Sequence, residues 1–441
     1  MRNLRYYLSL ILAFLARFKW ILLGGILSGI IFFLIFNVFG SSLFQSKNER
    51  IGVVGRFRLD NLPASILGYV SEGLTAINEN GEVGPAVASS WENKDSGKTW
   101  VFHLSDNKTW QDGKKILSND IQISFSDVAI ERSDPKTVVF KLQTPFAPFP
   151  SVVSKPLFRK GFLGTGEWKV EKIRVAGSIV EKVIISKKKE GTKTFKFYPT
   201  EERAKLALKL GEVDTLQDIF NPQPFDGWKN LNVEEDIDYG RFVAVFFNSA
   251  KEKITSDKSL RQALTYAIDK ESLDGKRAIS PISPNSWAYN PQVKPYNYDS
   301  ERAKELIKDL PKDIQNRLSL NIATTSVLLD KAESIAKNWR DIGVKVNVQV
   351  TSGIPDDFDA FLAVLDIPKD PDQYSLWHSS QTATNIANYK SPRIDKLLED
   401  GRTVISQEER KKIYFDFQRF LIEDSPTAFL YHPKRFTISR K

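Results

Sequence analysis

Asp370-Pro371-Asp372 sets two carboxylates two residues apart, a pairing that suggests general acid–base work of the glycosidase kind. Against that reading, no further catalytic grouping accompanies them. Only three histidines occur, His103, His378 and His432, scattered along the chain with no Ser–His–Asp grouping, and Asp-Pro-Asp is ordinary turn chemistry. Histidines so dispersed also argue against a metal site. Cysteine is absent, which removes disulfides, thiolate zinc sites, iron–sulfur clusters, cysteine nucleophiles and a lipidated N-terminal cysteine. No Gly-x-x-x-x-Gly-Lys-Ser/Thr segment is present, so any ATP hydrolysis belongs to another chain. Single carboxylates and aromatic side chains in loops remain. A carboxylate can receive an ammonium group and aromatics can line a wet pocket, while in a bland reading the same residues are loop and core groups.

Those groups need a scaffold, and the patterning supplies a mixed one. Lys98–Leu104 and Thr137–Leu142 alternate like strands, Asp112-Gly113 is a turn signal, and Ser118-Asn119-Asp120 offers N-cap chemistry for a following segment. Leu318–Thr324 reads as a strand and Asp330–Ile342 as a helix stopped by Gly343. Val344, Val346, Val348 and Val350 then alternate with polar residues, completing a strand–helix–strand unit with locally parallel strands. Phe358–Leu365 adds a strand, and Arg393–Asp400 and Gln407–Glu423 add helices, the last ended by Asp424-Ser425-Pro426. The class is α/β with more than one lobe.

The chain has 441 residues, enough for two or three domains, and 41% hydrophobic content, enough to bury a core. Its net charge of +9 is uneven. Residues 1–50 carry six basic groups against Glu49, leaving 57 basic and 53 acidic groups in the remainder. That near-balance argues against nucleic acid as a partner. Lys187-Lys188-Lys189 reads as a solvated hairpin turn. Trp20–Phe39 is a twenty-residue stretch without charge. As a helix rising ~1.5 Å per residue it matches the ~30 Å of a bilayer core. Arg2, Arg5, Arg17 and Lys19 precede it and predict a cytoplasmic N-terminus and an exported remainder. Val38-Phe39-Gly40 is a poor cleavage site, so the segment reads as an uncleaved single-pass anchor. Tyr6–Ala16 is apolar but too short to span, and reads as lying along the inner surface. The Gly40–Arg50 linker reaches at most ~40 Å.

From residue 69 the order of features becomes specific. YVSEGLTAINENGEVGPAVASSWENKDSGKTWVFHLSDNKTWQDGKKILSNDIQISF resembles the opening block of extracellular solute-binding proteins of family five, the dipeptide-, oligopeptide- and nickel-binding components of ABC importers. Later blocks follow in the family's order: Gly164-Thr165-Gly166-Glu167-Trp168, Gly211-Glu212-Val213-Asp214, Phe246-Phe247-Asn248, Leu260–Asp269, Trp339–Val344, Asp370-Pro371-Asp372, Asn388-Tyr389 and Ile394–Leu398. The resemblance covers essentially all of residues 51–441. It implies a two-lobed periplasmic-binding-protein-like clamp (type II, cluster C-like) with a reduced third subdomain, preceded here by one transmembrane helix. The expected division is a cytoplasmic segment 1–19, anchor 20–39, linker 40–50, first lobe 51–245 with a small subdomain at about 85–160, second lobe 246–420, and a return to the first lobe at 421–441.

The implied function is capture of short peptides outside the membrane for an ABC importer, whose permease and ATPase subunits are partners. Neither an enzymatic activity, a cofactor nor a metal is expected. In peptide-binding relatives an aspartate after a strand, in a Trp-x-x-Asp arrangement, takes the ligand amine; Asp366 is the nearest match, with Ala363 in place of the tryptophan and Asp370 or Asp372 as substitutes. Glu72, Trp287, Tyr289 and Trp377 fall in loops that face the family's cleft, and His378 reads as a hydrogen-bonding loop residue. The same clamp holding a metal chelate, an opine or an oligosaccharide, or serving as a sensory receptor, stays open at this level. For Asp112-Gly113, Gly211 and Arg261–Asp269 the structural role outweighs ligand contact.

Overall fold

The structure, a computed structural model, describes residues 2–35 and 48–441. Arg2–Ile35 is helical. Among the described residues no single helix is long and apolar enough to cross a membrane; Leu12–Ile21 and Leu23–Ile31 meet that standard only as a pair, bent by 49°. Gly24-Gly25, residues of low helix propensity, lie just past the bend in the second segment. The expected Trp20–Phe39 span is therefore not a single straight helix, and residues 36–39, with 40–47 of the linker, lie outside the described residues.

A twelve-stranded sheet runs through the rest of the chain. Its centre is the 14-residue strand β18 (Thr427–Arg440). The first part of β18 pairs antiparallel with β13 (Arg241–Phe247) and β14 (Gly275–Arg277), and its later part with β11 (Thr215–Ile219) and β12 (Leu231–Ile237). Beyond β13 the sheet continues through β17 (Ala360–Asp366), β15 (Ser319–Thr324) and β16 (Lys345–Val350). Beyond β11 it continues through β1 (Asn48–Val54), β10 (Gly191–Tyr198), β9 (Ile179–Lys187) and β8 (Lys169–Ala176). Each half has its own apolar cores, one set around Phe246, Leu264, Trp339 and Phe417, the other around Ile51, Phe195, Leu216 and Ile438.

The strand–helix–strand unit is as the pattern predicts. β15 and β16 are parallel, and the helix Leu329–Asp341 between them buries Ala332, Ile335, Ala336 and Trp339. Gly343 follows it at φ +91°, a conformation open to glycine and costly for other residues. The lysine run forms the turn between β9 and β10, with Lys188 and Lys189 exposed.

A separate four-stranded sheet, in the order β4 (Ala88–Lys94), β5 (Thr99–Leu104), β7 (Thr137–Leu142), β6 (Val128–Asp134), covers a core of Trp100, Phe102, Trp110, Phe140 and Phe149. Ser118–Asp120 is a single 3-10 turn and no helix follows it. The physical reason is the alternation of Ile121, Ile123 and Phe125, which pack on this core from an extended segment. The short hairpin β2 (Thr75–Ile77) and β3 (Val83–Pro85) precedes the small sheet.

Candidate functional site

Two cavities adjoin where the β2–β3 hairpin meets loops of the half containing β13 and β17. The larger, about 750 Å³, is walled by Asn78 and Glu79, by Asp236–Gly240, and by Ile367-Pro368-Lys369. The smaller, about 260 Å³, lies between the small sheet and the Trp287 loop. Gly81 lines both. Its φ is +78°, and a side chain there would bring Cβ within 2.5 Å of the Lys369 carbonyl oxygen. The Trp287 backbone N–H donates to the Asn80 carbonyl at 3.0 Å, so the hairpin tip is seated directly on the opposing loops.

Beside the larger cavity β17 has a partly free edge. All seven of its residues pair with β13, but β15 pairs only with Ala360–Leu362. Ala363–Asp366 thus have a partner on one side only. The Ile367 N–H donates to the Gly240 carbonyl at 2.7 Å. By the alternation of an antiparallel ladder, this turns the backbone groups of Val364 and Asp366 toward the open edge. A strand edge of this kind accepts an extended chain whatever its side chains.

Charge gathers at the end of that edge. Arg241, opposite Asp366 in the ladder, donates to the Asp366 carboxylate at 2.9 Å and lies 3.3 Å from Asp218 and 3.4 Å from Asp238. Burial works against the Arg241 charge, yet Asp218, Asp366 and Asp238 together hold its guanidinium above the ordinary value. Arg435, paired with Asp236 at 2.6 Å, is drawn by Asp238 and Asp218 as well, so four carboxylates face two cations here, and Asp366 is the most open of the three around Arg241, with its side chain 84% exposed. The cluster therefore retains attraction for a further positive group. Arg241, Asp218 and Asp238 were not singled out in the sequence. The available signal was an arginine heading the apolar strand RFVAVFF.

Residues 82–385 match the model of the Bacterial extracellular solute-binding proteins, family 5 Middle. The chain belongs to that family. The oligopeptide-binding protein AppA of Bacillus subtilis is 24% identical, over 86% of this chain and 83% of its own length. Among solved structures, NikZ from Campylobacter jejuni in complex with Ni(L-His) has a TM-score of 0.73 at 24% identity, covering 90% of this chain and 95% of that one. CtaP from Listeria monocytogenes has a TM-score of 0.74 at 22% identity, covering 90% and 94%.

In this family-5 chain the remaining residues singled out by sequence separate into three groups. Trp287 and Asp370 line the smaller cavity. Asp370 is bound to Arg410 at 2.8 Å and accepts the Asp372 N–H at 3.0 Å. Asp372 faces Arg402 at 2.9 Å; burial pushes its carboxyl up, against the pull of that arginine. Each carboxylate of the Asp-Pro-Asp turn is thus committed to its own arginine, which leaves no free acid–base pair. Glu72 and Tyr289 line neither cavity. Glu72 is ion-paired with Lys108, and its backbone is fixed by Thr165 and Leu157. Tyr289 is half-buried against the core beside β13, and burial raises its phenol. Trp377 corrects the expectation most clearly. It is 1% exposed, stacked on Phe246 at 6.1 Å, and its indole N–H donates to Gln373 at 3.2 Å, so it is a core residue. His378 stacks on Tyr374 and hydrogen-bonds Ser380 at 2.8 Å. Among the described residues no group of three or more His, Cys, Asp or Glu side chains is arranged to hold a metal ion.

The family blocks have structural explanations. A Cβ on Gly164 or Gly166 would fall 2.1 Å or 2.6 Å from the carbonyl oxygens of Val70 and Tyr69, so the Gly-Thr-Gly turn is needed for close approach to the helix Ala64–Val70. Buried Arg261 donates to the carbonyls of Thr255, Ser256, Asp424 and Ser425, tying its helix (Lys258–Ala267) to the end of the helix Gln407–Asp424.

Proposed function

We propose that this chain is a membrane-anchored, extracytoplasmic solute-binding protein that captures short peptides and delivers them to an ABC importer formed by separate chains. The observation that carries the reading is the half-paired edge of β17 ending at Asp366. The edge takes peptide backbone, and the Asp366 carboxylate takes the free amine by a charge-assisted contact. The charge-free stretch after Lys19 supports a single-pass anchor with its N-terminus in the cytoplasm. The lobes follow the division into residues 51–245, 246–420 and 421–441, and closure is driven by ligand contacts that exist only when they meet.

Native mass spectrometry of the detergent-solubilised full chain, purified without refolding, tests this reading. Heterogeneous bound masses that fragment as short peptides are expected. A single non-peptide mass would instead favour a second reading, a metal chelate, which the similarity to NikZ in complex with Ni(L-His) supports.

A further inference from the structure

We propose that the smaller cavity is a side-chain pocket that selects a basic residue, lysine or arginine, in the bound peptide. The inference rests on the peptide reading above and adds the specificity that reading lacks. The cavity is continuous with the path a peptide would follow. The chain Asp366–Asp370 runs from the free edge of β17 past the larger cavity into the smaller one, and Gly81 stands at the junction.

Its walls suit a cation. Trp91 stacks one face on Phe102 at 6.1 Å while lining the cavity; on the facing wall Trp287 packs edge-on against Tyr414 at 6.2 Å and already has the Arg410 guanidinium 5.4 Å from its ring centre, so Trp91 is the indole open to a ligand cation. Indole faces held in place by other rings attract ammonium and guanidinium groups through the ring quadrupole. Glu82 and Glu92 add carboxylates at the same cavity. Arg410 is the one basic lining residue among those described, and its charge is already matched by Asp370 at 2.8 Å. That leaves the two glutamates uncompensated within the lining. Glu82 has a neutral partner, Asn78 at 2.9 Å, and Glu92 has a solvent-exposed lysine, Lys94, at 3.3 Å. Such an exposed pair is weak and yields to a better-placed cation. The hairpin and the small sheet thus contribute Glu82, Trp91 and Glu92, and the opposing half contributes Trp287, so the pocket exists only where they meet.

Isothermal titration of the detergent-solubilised full chain with pentaalanine, and with five peptides carrying one lysine at successive positions, tests the pocket. One position should show at least tenfold tighter binding with lysine than with alanine, and the E82Q/E92Q double variant should reduce that ratio below threefold. The E82Q/E92Q melting temperature identifies a folded variant, and E82Q alone, tested in parallel, should lower the ratio by a smaller factor. Equal affinities at every position, or a lysine preference that survives in folded E82Q/E92Q, would overturn the pocket while leaving peptide capture intact. No binding of any peptide, pentaalanine included, would overturn peptide capture and the pocket with it.

Discussion

Asp366 has a carboxylate open enough to meet a ligand and a ladder partner, Arg241, already shared with Asp218 and Asp238. Replacing it with asparagine removes the acceptor nearest the free strand edge but leaves Arg241 two acids. Asp366→Asn is therefore expected to weaken free-amine peptides roughly ten- to a hundredfold, as for loss of a hydrogen bond to a charged group, and N-acetylated peptides much less. Titration of both peptide forms checks this, and equal losses would remove Asp366 from amine binding. Arg261 presents the opposite case. Its guanidinium satisfies four carbonyls, those of Thr255 and Ser425 buried, and it lines neither cavity. Arg261→Ala should cost on the order of 3 kcal/mol in urea unfolding and leave peptide affinity unchanged below the transition.

The glycines separate close packing from conformational freedom at the level of elements. Gly164→Ala would drive Cβ into the Val70 carbonyl and should destabilise by about 1–3 kcal/mol. Gly68, inside the helix Ala64–Val70, has nothing within 4 Å of an added Cβ. Gly68→Ala should instead stabilise by about 0.4–1 kcal/mol. Denaturant midpoints of the two variants should shift in opposite directions. Elements with a strong local period were legible in the sequence: Leu329–Asp341 and its flanking parallel strands appear as the apolar spacing predicts. Ser118–Asp120 misled because its capping residues open a turn whose continuation packs as an extended chain. The candidate site was less legible. Trp377 and Trp287 look alike as lone loop aromatics, and only long-range packing sends one into the core and the other to a cavity wall. Asp238 lies three residues before Arg241, but Asp218 and Asp366 reach that arginine from separate strands, and no local spacing announces their meeting.

For the whole molecule, stability should depend on pH through the crossing strand. His432 lies in β18, 1% exposed, with Nδ1 2.7 Å from the Arg241 carbonyl oxygen. Burial holds its imidazole below the ordinary value, with the hydrogen bond to Arg241 and the charge of Asp238 opposing and Arg277 assisting. The unfolded chain, titrating near ~6.5, therefore takes up this proton first as pH falls. The His432 contribution is present above that value and is lost as pH drops toward the folded value. Urea midpoints should decline from pH 7.5 to 5.5, and more shallowly in His432→Gln. An unchanged slope would assign the decline to other groups.

The same strand bears on how the protein is made. β18 begins at Thr427 and supplies pairing partners to both halves of the sheet, to β13 and β14 first and to β11 and β12 after. A chain emerging N-terminus first therefore holds β11, β12, β13 and β14 without their common neighbour until nearly all of it has been synthesised. Such late, non-local closure keeps the nascent polypeptide from locking prematurely, which suits passage through a secretion channel in an extended state. It also means that a stop codon before Thr427 would leave two unfinished sheets with open edges, a product for proteases rather than a smaller working receptor.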